Sequence, residues 1–374
     1  MPPLAQRNLF HDKVRLAVTL TGIVFSVVLI VVQLGLFIGF TTATSNLIDH
    51  SGADLWITSN NVPYVEQGVA FSERKLNQVR AVPGVADAQK VIVHFTRWKR
   101  HDGAEESVQI VGINVDDSIE RPWNLVEGQV QDLKSPDAVI LDDLYKKKLG
   151  VTHVGEVFEI GGHRARVVGF THGIRSFTTS PYVFASFRNA LDYAGLREDQ
   201  TLFILAKLAP SAKVEEVRRA LAGQLKDVDV VTTAEFSRRT TFYWMFTTGA
   251  GVAVLIAAAL GLVVGFVVVA QTIYATTVDH IREYGTLKAM GAPNGYVFKV
   301  IVQQAGISAV LGYVLGMIVS IFVVHGSEKG GAAILMPPSM AVGMFFVTLA
   351  MCIGAALVSI NKVTRIDPAM VFKG

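Results

Sequence analysis

The chain has 374 residues, of which 51% are hydrophobic and only 17% are charged, and its mean hydropathy is +0.41. Soluble domains rarely combine positive mean hydropathy with so little charge, so these totals exclude an entirely water-soluble protein. The net charge of +3 is spread without basic blocks, so no nucleic acid partner is expected, and a lone cysteine, Cys352, excludes a disulfide framework.

Apolar runs predict an α-helical membrane protein with four transmembrane helices. The first run, at 17–42, has no charged residue between Arg15 and Asp49. At about 1.5 Å per residue it crosses a hydrocarbon core of roughly 30 Å, and it exceeds the roughly 7–15 apolar residues of a cleaved signal peptide. The other spans are expected at 240–278, 297–324 and 339–361. Their cores hold no Asp, Glu, Lys, Arg or His, which disfavours an ion-coupled transporter.

The distribution of Lys and Arg predicts the orientation in the membrane. These residues cluster before the first span, between the second and third, and after the fourth, whereas the 325–338 loop holds only Lys329. Short cytoplasmic segments are enriched in Lys and Arg. We therefore expect both termini (1–16 and 362–374) and the 279–296 segment in the cytoplasm, with the protein in the inner membrane and residues 43–238 outside.

The long segment 43–238 predicts an extracytoplasmic α+β domain. Two strand–helix–strand units, near its beginning and its end, suggest a split βαβ arrangement of ferredoxin type. Ser72 and Ser211 are the expected caps of the two helices, because a serine hydroxyl can accept from the first free backbone N–H groups.

A β-rich insertion, at about 104–195, separates the two units. Gly161-Gly162 inside it joins two strand-like runs and is a two-residue hairpin signal. The aromatic tract 173–195 follows, and its Phe and Tyr side chains are expected mainly in the core. Contact of this tract with cargo or a partner stays open.

The sequence contains no enzyme signature. There is no H-E-x-x-H, no G-x-S-x-G and no G-x-x-x-x-G-K-[ST] phosphate loop. We therefore expect neither a catalytic residue nor a metal site, and no directly bound cofactor. ATP would act only through a partner subunit.

Small residues recur at four-residue spacing in the predicted spans, a pattern that lets helices approach closely in lipid. Two interpretations stay open, packing within one subunit and an interface between two copies. The glycines concerned are Gly35, Gly39, Gly261, Gly265, Gly312 and Gly316.

The polar segment 279–296 predicts a short amphipathic helix between the second and third spans. Its apolar side chains fall near one side and its charged ones largely elsewhere, and a glycine ends it before Pro293. It either lies on lipid headgroups or docks a cytoplasmic partner. The residues expected to contribute are Ile281, Arg282, Glu283, Tyr284, Gly285, Leu287, Lys288, Met290 and Gly291.

Three stretches resemble the MacB/FtsX/LolE family of ABC transporter permeases. "IREYGTLKAMGA" is similar to the coupling segment of that family, "AQRNLFHDKVRL" to its amphipathic N-terminal helix, and "RIDPAMVFKG" to its cytoplasmic tail. Pieces of the outside domain, such as "VRAVPGVADAQ", also match. The resemblance covers nearly the whole chain and favours the docking interpretation of the 279–296 helix.

The resemblance implies an exporter that works by mechanotransmission. The unfused permease and "RSFTTSPYVF" look like the DevC-like, heterocyst-glycolipid exporter branch. Its implied partners are a separate ABC ATPase, a second copy of the chain, membrane lipids, a membrane-fusion adaptor and an outer-membrane channel, and its cargo is a lipid, glycolipid or other amphipathic molecule. An FtsX-type regulator of a cell-wall hydrolase and a lipoprotein-releasing permease stay open as alternatives.

Overall fold

The structure, a computed structural model, describes residues 13–116, 119–178, 180–279, 285–286, 290, 292–328 and 334–364. The chain divides into two compact units. A helical unit comprises the described residues up to Gly39 and from Val252 onward, and an α+β domain comprises Phe40–Gly251. The predicted N-terminal helix 1–16 and the 362–374 tail fall largely outside the described residues.

Helices occur in both units. In chain order they are α1 Lys13–His50, α2 Lys75–Arg80, α3 Lys146–Leu149, α4 Phe187–Ala194, α5 Val214–Gln224, α6 Thr233–Phe242, α7 Ala250–Asp279, α8 Asn294–Glu328 and α9 Pro338–Thr364.

The strands all lie in the α+β domain. They are β1 Leu55–Ser59, β2 Phe71–Ser72, β3 Val85–Lys99, β4 Glu105–Ile113, β5 Leu125–Glu127, β6 Ala138–Asp142, β7 Val157–Ile160, β8 His163–Thr171, β9 Tyr182–Ser186, β10 Gln200–Thr201, β11 Phe203–Leu208 and β12 Val228–Thr232.

Four described helices are long and apolar enough to cross a membrane, which confirms the predicted number of spans. In lipid the backbone must satisfy its own hydrogen bonds, so uninterrupted apolar runs become helices. The candidate spans are Leu16–His50, Ala250–Ala275, Phe298–Ser327 and Pro338–Val358.

The start of the second span differs from the prediction. Residues 240–249 do not continue α7, because α6 ends at Phe242 and Tyr243–Thr247 form a π-helical turn. Gly249, with φ 76°, then separates this turn from α7. The residues of the turn carry no charge, so the absence of charge does not distinguish them from the span itself.

A ten-stranded sheet forms the centre of the α+β domain, in the order β12-β1-β11-β3-β4-β9-β6-β8-β5 with β7 beside β3 and β8. The first four strands pair antiparallel, and α2 and α5 pack on one face of them through Val79, Val217 and Leu221. The split βαβ arrangement of ferredoxin type stays a prediction. The predicted insertion continues the same sheet, because the 15-residue β3 pairs with both halves.

The hairpin prediction at Gly161-Gly162 is confirmed. Both glycines have positive φ, 57° and 85°, and they join β7 to β8. A two-residue turn with two left-handed residues matches the right-handed twist of the strands. From the aromatic tract, Tyr182 and Phe184 are buried in the core as expected, whereas Phe177 and Phe187 are half-buried.

Both serine cap predictions are wrong. Ser72 lies in β2, and its hydroxyl accepts from the Arg74 backbone N–H rather than from the first turn of α2. Ser211 lies in a turn in which the Ala212 N–H donates to Ala209 O, and α5 begins only after Lys213. In each case a local turn, at Glu73–Arg74 or around Ser211, precedes the helix, so the serine does not lie next to the first helical turn.

Candidate functional site

The predicted coupling segment lies between the end of α7 at Asp279 and the start of α8 at Asn294. Gly285 and Thr286 are helical, and the Met290 N–H donates to Thr286 O at 3.0 Å, which is the spacing of one α-helical turn. Gly285 is buried, whereas Met290 is 71% exposed. The predicted residues outside the described part of the chain are Ile281, Arg282, Glu283, Tyr284, Leu287, Lys288 and Gly291.

The exposure of Met290 bears on the predicted apolar stripe. An unbranched, polarisable thioether adapts to many apolar surfaces, so methionine is common where a surface meets a partner. The described part of the segment therefore has one buried glycine, Gly285, and one exposed apolar side chain, that of Met290.

Two glycines of α7 face α1. A Cβ placed on Gly261 would lie 2.9 Å from Gln33 Cγ, and one on Gly265 would lie 3.0 Å from Ile30 Cδ1. The Ser26 hydroxyl donates to Gly265 O at 3.1 Å, which adds an interhelical hydrogen bond at the same place. The absence of side chains at these glycines lets the α1 and α7 backbones approach.

The other predicted glycines also pack within the chain. A Cβ on Gly316 would lie 2.8 Å from Val27, and one on Gly312 would overlap with the side chain of Ile23. Gly35 O accepts from the Leu335 N–H at 3.1 Å, and Gly39 is buried in α1. Helix α1 thus packs against α7 and α8 through Gly261, Gly265, Gly312 and Gly316.

The described residues offer no metal site. No group of three His, Cys, Asp or Glu among them is arranged to hold an ion. Cys352 is buried in α9 within the packed helices.

Sequence reasoning missed a cluster of aromatic side chains in the α+β domain, here called the Trp244 cluster. The Trp244 ring lies 4.4 Å from Phe177 and 5.1 Å from Tyr64, measured between ring centroids. Phe177 also contacts Phe40 at 5.6 Å, and Tyr64 stacks on Tyr243 at 4.3 Å. The cluster thus joins α1, the loop before β2, the 173–180 segment and the π-helical turn.

One carboxyl group, Glu66, is buried against this cluster. Trp244 Nε1 donates to its Oε2 at 3.5 Å, and its Oε1 has no partner among the described residues. Burial raises the pKa of Glu66 to about 7, opposed by its backbone hydrogen bond and the Trp244 hydrogen bond. No local sequence signal marks this residue, since Trp244 is far away in the chain.

Both parts of the chain match models of known protein families. Residues 16–224, more than half of the chain, match the family model of the MacB-like periplasmic core domain. Residues 237–368 match the FtsX-like permease C-terminal model.

Two groups of relatives match over nearly their full length. An uncharacterized ABC transporter permease of Mycobacterium tuberculosis is 23% identical over 385 residues, covering 99% of each chain. One from Mycobacterium bovis is 21% identical over 361 residues, covering 96% of this chain and 95% of the relative.

Among solved structures, the periplasmic region of MacB from Actinobacillus actinomycetemcomitans covers 51% of this chain and 94% of its own, with 13% identity and a TM-score of 0.37. The extracellular domain of the noncanonic ABC-type transporter YknZ covers 48% of this chain and 98% of its own, with 15% identity and a TM-score of 0.35. On the two family models and the full-length relatives, the chain belongs to the MacB/FtsX family of ABC transporter permeases.

Proposed function

We propose that the chain is the permease subunit of an ATP-driven exporter that works by mechanotransmission. A cytoplasmic ATPase would move the 279–296 segment, and the spans would pass this motion to the α+β domain outside. The observation that carries the proposal is helix α1, whose 38 residues give a length of about 57 Å. It exceeds a hydrocarbon core of roughly 30 Å, and its residues from Phe40 onward belong to the α+β domain.

The proposed orientation places both termini and the 279–296 segment in the cytoplasm, and the α+β domain in the periplasm or outside. A test uses single cysteines in a Cys352→Ala background. Thr286→Cys reports on the coupling segment and Gly103→Cys on the exposed β3–β4 turn. We expect an impermeant maleimide to label only Gly103→Cys in intact cells. Labelling of both positions from outside would contradict the orientation and the mechanism.

The proposed partners follow from the family. Two copies of the chain would bind an ABC ATPase dimer, because this sequence has no phosphate loop of its own. An amphipathic lipid or glycolipid is the proposed cargo, handed to a membrane-fusion adaptor and an outer-membrane channel. The uncharged span surfaces support an apolar cargo over an ion, since ion pathways need polar or charged groups within the membrane.

A pull-down tests the coupling role directly. The amount of ATPase that co-purifies with full-length Tyr284→Ala or Glu283→Ala should fall roughly ten-fold or more relative to wild type. Such a decrease is expected for loss of an interface anchor. Lys329→Ala, in the short loop on the other side of the membrane, is the matched control and should bind normally. Unchanged ATPase binding and unchanged export in both variants would remove the coupling role.

The proteins that co-purify with wild type distinguish export from regulation. Mass spectrometry of the purified complex should find an adaptor protein and bound amphipathic lipid. Recovery of a cell-wall hydrolase without an adaptor would instead identify an FtsX-type regulator.

A further inference from the structure

The chain that leads into the second span is interrupted where it leaves the α+β domain. α6 ends at Phe242, the π-helical turn Tyr243–Thr247 follows, and Gly249 has a left-handed φ of 76°. A continuous helix transmits axial displacement through its ladder of hydrogen bonds, and π-turns and glycines break that ladder. Side-chain contacts of the π-helical turn are therefore one route from α7 to the sheet, beside the backbone of α6, which follows β12 directly.

The segment 173–178 is fixed to the sheet by buried polar side chains. Asp142 Oδ2, at the end of β6, accepts from the Ile174 N–H at 2.7 Å. Gln109 of β4 donates from Nε2 to the hydroxyls of Ser176 at 3.2 Å and Thr178 at 2.9 Å. Since Asp142 and Gln109 are almost fully buried, these bonds lie in a low-dielectric interior, where hydrogen bonds are strong and costly to break.

The same segment contacts α1 and the π-helical turn, the two stretches of chain that connect the α+β domain to the spans. Asn46 of α1 donates from Nδ2 to Arg175 O at 3.2 Å. The Phe177 ring lies edge-on to Phe40 of α1 and is tilted against Trp244 of the π-helical turn. A segment anchored to the sheet thus touches α1 on one side and the chain leading into α7 on the other.

We infer that residues 173–178 act as a strut, with Phe177 as its contact, which transmits displacement of the two spans to the ten-stranded sheet. This inference rests on the proposed function, because it requires the spans to move. In this role Phe177 is a positioning residue, which acts through its contacts with Phe40 and Trp244. The role accounts for an aromatic side chain that is only half-buried and yet contacts two other rings.

The geometry suits a strut because its parts are stiff. A phenyl ring has few rotamers, and aromatic pairs at these centroid distances are favoured in tilted and edge-on arrangements. Tyr64 and Glu66 hold the Trp244 ring from its other side, by edge contact and by the indole hydrogen bond. Removing the Phe177 ring therefore opens a gap between two surfaces that otherwise remain in place.

The test measures hydrogen exchange in the complex of the full-length chain with its co-purifying ATPase, in lipid nanodiscs. Exchange is compared between ADP and ATP plus vanadate. In wild type we expect nucleotide-dependent changes in both the 279–296 segment and the 172–178 and β6 amides. In Phe177→Ala the nucleotide-dependent change in the 279–296 segment should persist. The change in the 172–178 and β6 amides should fall roughly two- to thirty-fold, which is the range for residues on a coupling route.

Two further variants serve as controls. Phe187→Ala removes another half-buried ring of the same domain, which contacts Lys90. It should leave the responses of the 279–296 segment and of the α+β domain intact. Phe177→Leu restores apolar volume and should recover most of the response. If Phe177→Ala does not fold, Asn46→Ala removes only the bond to Arg175 O and should weaken the domain response in the same direction.

The outcomes separate the strut from the proposed function. If the 279–296 segment of wild type shows no nucleotide response, the proposed coupling is wrong. If that segment responds and the domain response of folded Phe177→Ala or Asn46→Ala equals that of wild type, the strut is wrong and the coupling stands.

Discussion

Replacing Glu66 by glutamine should make the α+β domain more stable at neutral and alkaline pH. Burial raises the pKa of this carboxyl from its usual value of 4.5 to about 7. The folded domain therefore holds a proton that the unfolded chain releases between these two values. Folding stability must fall as the pH rises through this window, and the loss is complete above pH 7. Glutamine has no proton to release and keeps an oxygen for the Trp244 indole.

The size of the effect follows from the two pKa values. Each pH unit between 4.5 and about 7 corresponds to about 1.36 kcal/mol. The penalty for ionising Glu66 in the folded domain is therefore about 3 kcal/mol at pH 8 and nearly zero at pH 4.5 and below. For a domain of this size, removing a penalty of about 3 kcal/mol corresponds to a rise in Tm of roughly 6–12 °C for Glu66→Gln at pH 8.

The assay is thermal unfolding of the full-length chain in nanodiscs, followed by tryptophan fluorescence from pH 4.5 to 8.5. The informative quantity is the Tm of Glu66→Gln minus that of wild type, because other buried acids, such as Asp142, cancel in this difference. Glu216→Gln, which removes a charge from the exposed pair with Lys213, should give a difference that does not change between pH 5 and 8. A flat difference for Glu66→Gln as well would refute the assignment of a buried, proton-binding carboxyl.

Two further predictions concern packing and the anchors of the 173–178 segment. Gly312→Ala should destabilise the helical unit by roughly 1–3 kcal/mol in a detergent melting assay, because the new methyl group overlaps with α1. The control is Gly306→Ala on the same helix, where a Cβ would have nothing within 4 Å, and it should be neutral. Equal melting temperatures for the two variants would contradict the packing. Asp142→Asn should cost about 1.5–3 kcal/mol, because the amide cannot satisfy all the donors that face the carboxylate. Exchange of the Ile174 amide should accelerate, and an unchanged rate would show that Asp142 does not anchor the segment.

The features that the sequence predicts are those with a local signal. An uncharged run long enough to cross lipid must become a helix, so the number of spans is readable without tertiary structure. Gly161-Gly162 between two strand-like runs leaves few alternatives to a hairpin. The strand–helix–strand units also carry their own periodicity, and their order in the chain limits how they can pair.

Other features could not be predicted because competing local structures use the same residues. Ser72 and Ser211 are good cap residues, but each is equally suited to a turn or strand end, and tertiary pairing decides between these. The π-helical turn Tyr243–Thr247 carries no charged residue, so the absence of charge does not distinguish it from the span that follows. The burial of Glu66 depends on Trp244, and no window of neighbouring residues contains both.

The two connections between the spans and the α+β domain differ in kind, and this decides which substitutions are informative. Helix α1 runs without a break from Lys13 to His50, so displacement along α1 is transmitted by its own backbone hydrogen bonds. The chain before α7 is broken at the π-helical turn and Gly249, so displacement there depends on contacts such as that between Phe177 and Trp244. Removing one ring therefore weakens the second connection selectively, and a response that survives this removal travels through α1 or along α6 to β12.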